Sequence, residues 1–333
     1  MVGNGSRTKT KGRDLVRAIV VRELGGPEQM ILADHPDPEP GPGQVLVQVA
    51  AAGVNFIDIY RRSGVYQQPV PYVPGGEGAG TVVAVGEGVA EFTAGDRVAW
   101  ADGPGSYAEL AAVSAQDAVP VPEGIDLKAA AAVMLQGLTA HYLCHSTFPV
   151  AEGSVAVVHA AAGGVGQLLV QMLKALGASV LGVASSTTKR AAVLAAGADA
   201  ACGYDDLLAQ TQQLSAGRGA DVVYDSVGRT LGDSLAAARI GGTVVFYGMT
   251  AGDPDPVDPR LLMDRSLTLT GGDLWNVLIS ASIRRERAAA LFAQIRSGQL
   301  QPNIAARFPL SDGAKAHAYL ESREAIGKVL LTL

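Results

Sequence analysis

From Arg17 to about Val121, short apolar runs are cut repeatedly by glycine and proline. Arg17-Ala-Ile-Val-Val-Arg22 and Gln44-Val-Leu-Val-Gln-Val49 carry period-two or continuous apolar patterns, which predict β-strands. Gly80-Thr-Val-Val-Ala-Val85 and Asp96-Arg-Val-Ala-Trp100 repeat the theme around the turn Gly86-Glu-Gly88. Short strands with frequent turn signals predict a compact, barrel-like β domain.

The rhythm changes after about Asp126. Leu127 to Leu143 is alanine-rich and helix-compatible, and Ser154-Val-Ala-Val-Val-His159 reads as a buried parallel strand. A glycine-rich turn and a helix to about Leu176 follow. Further strands are predicted at Ala178–Val183, Asp199–Gly203, Ala220–Asp225, Gly242–Tyr247 and Ser266–Thr270, with helical stretches between them, one at Thr188–Ala196. Strand and helix in alternation predict a doubly wound parallel sheet. A helix at about Ile283–Ser297 and the strand Val329–Leu333 close the chain, and this last segment is expected to rejoin the first domain. The fold class is α/β.

Composition narrows the function classes. A chain of 333 residues suffices for two domains with cores of their own. The net charge of −6 offers nothing to nucleic acid or an anionic membrane. No apolar run approaches the roughly 18 residues of a membrane span. Residues 1–16 carry Arg7, Lys9, Lys11 and Arg13 without an apolar signal core, and read as a flexible extension. The expected location is the cytoplasm. Cys144 and Cys202 lack CxxC spacing and read as small core residues. His141 and His145, four apart beside Cys144, resemble half a metal site but read as ordinary helix residues, because no further ligands are evident.

The main chemical signal is Ala161-Ala162-Gly163-Gly164-Val165-Gly166, directly after a strand and opening a helix. Gly163 allows close approach of a pyrophosphate, Gly166 allows tight helix packing, and the helix N-terminus offers N–H groups to phosphate. Ala161 replaces the usual first glycine. A tight turn without a ligand is the alternative. At the end of the next strand, Ala184-Ser185-Ser186-Thr187-Thr188-Lys189-Arg190 holds no acid for a ribose hydroxyl. Hydroxyls and two cations stand there instead, which selects NADPH over NADH. Lys189 and Arg190 also fit as solvated helix charges.

Several segments then combine: Asn55-Phe-Ile-Asp-Ile-Tyr60, Pro74-Gly-Gly-Glu-Gly-Ala-Gly80, Gly95-Asp-Arg-Val98, Gln136-Gly-Leu-Thr139, His159–Gly166, Asp221-Val-Val-Tyr-Asp-Ser-Val-Gly228 and Gly327-Lys-Val-Leu330. In this order the chain resembles the quinone oxidoreductase (zeta-crystallin-like) branch of the zinc-independent medium-chain dehydrogenase/reductase superfamily. The resemblance implies a GroES-like β-barrel catalytic domain at 17–135 and 272–333, and a Rossmann domain at 136–271. It also implies a homodimer, often built by joining the two Rossmann sheets edge to edge. Zinc relatives carry cysteine where Asn55 stands and histidine where Gly76 stands. Neither residue here can replace those ligands, and two cysteines cannot form a four-cysteine structural site.

The resemblance further implies that Asn55, Tyr60 and Thr139 are catalytic, with Asn55, Tyr60 and Tyr66 also facing the substrate. Cofactor contacts are implied at Asn55, Thr139, Ala162, Gly163, Gly164, Val165, Gly166, Ser185, Lys189, Tyr204, Ser226, Val227, Phe246, Tyr247, Gly248 and Leu274. Leu274 rests on a loop, Gly271-Gly272-Asp273, that departs from the family pattern. Asn55 also fits as a turn cap, the tyrosines as packing, and Asp225 as a strand terminator. No metal is expected. The implied reaction is transfer of hydride or electrons from NADPH to a quinone. The alternatives are a 2-alkenal or enone reductase and a non-catalytic, crystallin-like NADPH-binding protein.

Overall fold

The computed structural model describes residues 15–333. Most of the extension expected at 1–16 therefore lies outside the described residues. Leu15 and Val16 are a correction to it: they open the strand Leu15–Val21, paired antiparallel with Met30–Pro36. Val16 is buried there, in phase with the alternating pattern that follows.

The chain forms two principal sheets. In the first, the spatial order is Ile304–Pro309, Lys328–Thr332, Gln44–Val54, Glu77–Val85, Arg97–Trp100 and Val119–Pro120, with Leu110–Ser114 also paired to Gln44–Val54. Lys328–Thr332 runs antiparallel to Gln44–Val54, so the C-terminal segment does return to the N-terminal sheet. Its parallel neighbour Ile304–Pro309 is a strand that the pattern of the sequence did not reveal.

The second sheet has six strands, all parallel, in the order Ala200–Cys202, Ser179–Val183, Val155–Val158, Ala220–Asp225, Ala238–Phe246 and Thr268–Gly271. This is the expected doubly wound arrangement. The first strand in the chain, Val155–Val158, lies at the centre with all four residues buried. Its neighbours depart in opposite directions, so a crevice opens at its carboxyl end, and the glycine-rich turn begins there.

The helix Leu127–Tyr142 links the two layers. Asp126 caps it through the Lys128 N–H, and Ala130 to Met134 are buried in succession. Small side chains allow a helix to be packed on all sides, and this one lies against both the N-terminal sheet and the helix Gly164–Ala175. The expected boundary at 135/136 falls inside it. Beyond Tyr142 the helix widens into one π turn at Leu143–Thr147.

Candidate active site

The site is assembled around Asn55, which precedes the helix Phe56–Ser63 and is 4% exposed. Its Nδ2 donates to Glu77 Oε2 at 2.8 Å. Its Oδ1 accepts from Lys328 Nζ at 2.7 Å and from Gln136 Nε2 at 3.3 Å. With both lone pairs of the amide oxygen engaged, what Asn55 retains is one amide hydrogen, so it acts outward only as a donor. Glu77 and Lys328 form a fully buried ion pair at 2.5 Å, and Glu77 Oε1 accepts the Leu135 N–H at 2.6 Å. Gly53 makes room for the pair, since a Cβ there would lie 1.9 Å from Glu77 Oε2.

The glycine turn stands across from Asn55. Ala160 adopts φ of 47°, and the helix Gly164–Ala175 starts with no side chain capping its N–H groups. Such groups have no intrahelical acceptor and remain available to an anion. A Cβ on Gly166 would fall 2.6 Å from Ala161 Cα and 2.7 Å from the Ala160 carbonyl oxygen, so only glycine fits. The C-terminal strand closes the back of the turn: Gly327 N–H donates to the Ala162 carbonyl at 3.0 Å. Gln136 Oε1 lies beside Gly164, buried and without a hydrogen bond among the described residues. An orphaned acceptor next to uncapped helix donors is the environment that a dinucleotide bearing both phosphates and hydroxyls would complete.

At the end of the second strand, Ser185 is exposed and Ser186 caps the helix Thr187–Ala195 through the Lys189 N–H. Lys189 Nζ donates to the Arg323 carbonyl, and the Arg323 guanidinium donates to the Thr250 carbonyl at 3.0 Å. Arg323 thus adds a third cation to this end of the crevice, one the sequence reading did not single out. Arg190 is turned back on its own helix, onto Ala184 and Thr187. Tyr204 is half-buried and stacks on His159 at 6.0 Å.

Tyr60 and Tyr66 meet edge to face at 5.6 Å. The Tyr60 hydroxyl is buried without a partner among the described residues, and burial pushes its pKa up while the nearby Arg323 opposes the rise. Thr139 donates to the Leu135 carbonyl at 2.7 Å, which leaves its oxygen free only to accept. Asp225 is fully occupied: it receives the N–H groups of Val227 and Gly228 and the hydroxyls of Thr230 and Ser234. It therefore shapes the loop that presents Ser226 and Val227. Phe246, Tyr247 and Gly248 follow the neighbouring strand end, and all three are half-buried. Asp273 caps a short 3-10 turn, and the Leu274 side chain it carries is buried in the main core.

The His141 and His145 rings lie 4.4 Å apart, tilted by 44°, and the Arg287 guanidinium contacts His141 Nδ1 at 3.1 Å. Burial, His145 and Arg287 together push His141 down to about 4. Cys144 is buried and raised to about 12 by that burial.

Beneath Asn55 lies a second buried network. Asp58 Oδ2 accepts the Asn55 N–H at 3.0 Å and the Tyr107 hydroxyl at 3.3 Å, and His317 Nε2 contacts the same hydroxyl at 3.2 Å. Burial, reinforced by Arg62, pushes His317 down to about 3 from the usual 6.5. The unfolded chain therefore takes up that proton first. Stability from this source is complete above pH 6.5 and is lost as pH falls toward 3. Asp58, raised by burial to about 6, works in the opposite sense: the folded state gains as pH falls from 6 to 3.8. Each group contributes a slope of up to about 1.4 kcal/mol per pH unit. Between pH 6 and pH 4 the two slopes oppose each other and nearly cancel, so His317→Gln is expected to make the melting temperature rise, relative to the wild-type profile, as pH falls through that range. An unchanged profile in that variant would mean that His317 titrates normally.

Two family models match this chain: "Alcohol dehydrogenase GroES-like domain" over residues 41–123 and "Zinc-binding dehydrogenase" over residues 164–288. A probable quinone oxidoreductase of Schizosaccharomyces pombe is 41% identical over 296 residues, which is 88% of this chain and 90% of the relative. The chain belongs to the quinone oxidoreductase family. A 2-haloacrylate reductase of a Burkholderia species is 36% identical over 331 residues, 95% of this chain and 99% of its own. The solved quinone oxidoreductase of Escherichia coli, complexed with NADPH, superimposes with a TM-score of 0.91 at 35% identity, covering 96% of this chain and 99% of that one.

The second model's description raises the question of zinc, and the donor set answers it. At the two positions where the resemblance implies zinc ligands in other members of the superfamily, this chain has Asn55, whose amide oxygen accepts from the Lys328 ammonium, and Gly76. Among the described residues no group of three or more His, Cys, Asp or Glu side chains is placed to hold a metal. An amide oxygen already bound to a cation is no zinc ligand.

Proposed function

We propose that the protein is an NADPH-dependent reductase of quinones that works without a metal. The observation that carries this reading is the buried Asn55 amide, whose oxygen is engaged by Lys328 and Gln136 and whose nitrogen, after donating to Glu77, keeps one N–H without a partner among the described residues. Bound in that crevice, NADPH supplies a hydride. The chain's own residues bind, orient and exclude water.

Ala162, Gly163, Gly164, Val165 and Gly166 hold the pyrophosphate at the helix N-terminus. Ser185, Lys189 and Tyr204, joined by Arg323, take the 2′-phosphate. Ser226 and Val227 lie along the adenine side, and Phe246, Tyr247 and Gly248 along the nicotinamide side. The Leu274 turn closes that side through the core. Thr139, able only to accept, suits the carboxamide N–H of the nicotinamide. Asn55 donates to the acceptor carbonyl, Tyr60 offers its unpartnered hydroxyl, and Tyr66 lines the entrance. A quinone suits such a site because it needs orientation and a donor rather than a Lewis acid.

We place the protein in the cytoplasm as a homodimer. Among the described residues no helix is long and apolar enough to cross a membrane. The outer strand Thr268–Gly271 leaves a sheet edge unpaired, as joining through the Rossmann sheets requires.

A second reading, reduction of an activated alkene, is favoured by the 2-haloacrylate reductase relative. NADPH oxidation measured in parallel with 1,4-quinones, 2-alkenals and 2-haloacrylates separates the two. Fastest turnover with quinones is expected. Turnover of alkenals or haloacrylates with none of quinones would overturn the first reading in favour of the second.

A further inference from the structure

Next to Asn55 lies a cavity of about 240 Å³ that the roles above leave unused, with Asp58, Arg61, Gln68, Tyr72 and Asp102 in its wall. Asp58 is 1% exposed, and its Oδ1 has no hydrogen bond among the described residues; the buried Tyr72 hydroxyl has none either. Arg61 enters no ion pair among the described residues. Its Nη1 stands 3.6 Å from where a Cβ on Gly76 would lie. The cavity adjoins the Asn55 site twice over. Asp58 accepts the Asn55 N–H, and Gly76 precedes the Glu77 that holds the Asn55 amide.

Buried polar atoms without partners call for a polar ligand. The lining carries one cation against two carboxylates, which gives no net attraction for a preformed anion. It suits a neutral molecule with an oxygen that becomes negative only as the reaction proceeds. Asn55 and Arg61 are six residues apart on one helix start, roughly 9 Å along its axis. A six-membered ring with oxygens at both ends, plus a hydrogen bond of about 2.9 Å at each end, spans that scale.

We propose that Arg61 binds the distal oxygen of a 1,4-quinone whose near oxygen accepts from Asn55, and that it balances the charge arriving at that distal oxygen during reduction. This rests on the quinone reading above. In the step, the nicotinamide C4–H bond breaks and an O–H bond forms at the near oxygen. The hydride's electron pair becomes that O–H bond, the near carbonyl's π pair moves into the ring, which becomes aromatic, and the distal oxygen is left as an oxyanion on the guanidinium. A proton from water completes the hydroquinone, and Asp58 Oδ1 accepts the new O–H. NADPH is oxidised to NADP⁺ and the quinone is reduced by two electrons.

The test compares 1,4-naphthoquinone with 1,2-naphthoquinone, whose adjacent oxygens leave none to reach Arg61. For Arg61→Leu, kcat with 1,4-naphthoquinone is expected to fall by about a hundredfold to a thousandfold, as for loss of one oxyanion donor. Turnover of 1,2-naphthoquinone and the Kd for NADPH should stay within about twofold. Arg61→Lys should restore part of the loss, and binding of 1,4-naphthoquinone to the NADP⁺-loaded enzyme should weaken in parallel with the Leu variant. Equal loss with both quinones, or an unchanged 1,4-naphthoquinone rate, overturns the role of Arg61 alone. Wild-type enzyme that reduces enones but neither quinone removes the functional reading beneath it, and the Arg61 role with it.

Discussion

Lys328→Met is expected to lower stability by about 3–5 kcal/mol, the cost of leaving one partner of a buried ion pair uncompensated. Glu77 would keep its bonds from Asn55 and the Leu135 N–H, but its charge would lose the only ammonium in contact with it among the described residues. The loss should appear as a melting temperature lowered by several degrees. Glu77→Gln combined with Lys328→Met should recover most of it, because a neutral pair of similar volume avoids the desolvation penalty. The same substitution frees the Asn55 oxygen, so residual activity should fall further than the folded fraction does. A Lys328→Met protein as stable as wild type would show that the pair is not buried as described.

Gly166→Ala is the second large effect, and it acts on the cofactor rather than on the fold. The added Cβ would meet backbone atoms of Ala160 and Ala161 at 2.6–2.8 Å, and backbone cannot swing aside as a long side chain can. The helix must therefore move away from the turn, carrying its N–H groups off the pyrophosphate. The Kd for NADPH is expected to rise on the order of a hundredfold, which is about 2.7 kcal/mol. Gly232→Ala is the control, since nothing lies within 4 Å of a Cβ there. Calorimetric titration of both variants reads the difference. Equal NADPH binding by Gly166→Ala and wild type would remove the turn from the site.

The doubly wound sheet was legible because its signals are local. Val155–Val158 is a continuous apolar run, and the turn after it carries glycine where the backbone demands it. The acid-free Ser185–Arg190 segment was equally readable, since the residue types alone decide what charge the site meets. What escaped depends on positions far apart in the chain. Lys328 and Glu77 are separated by 251 residues, and Asn55 becomes a donor only because of them. Arg323 reaches Lys189 from 134 residues away. Ile304–Pro309 is an edge strand of mostly half-buried residues, without the alternation that marks a strand with one dry face. The burial of Leu274 was not legible either, because it follows from the Asp273 cap and from packing against distant core residues.

The most direct measurement of the central claim is the initial rate of NADPH oxidation by 1,4-naphthoquinone after exhaustive removal of metal with a chelator. The predicted result is an undiminished rate, unaffected by added zinc and far slower with NADH in place of NADPH. A rate abolished by the chelator and restored by zinc, or no quinone-dependent oxidation at all, would contradict it.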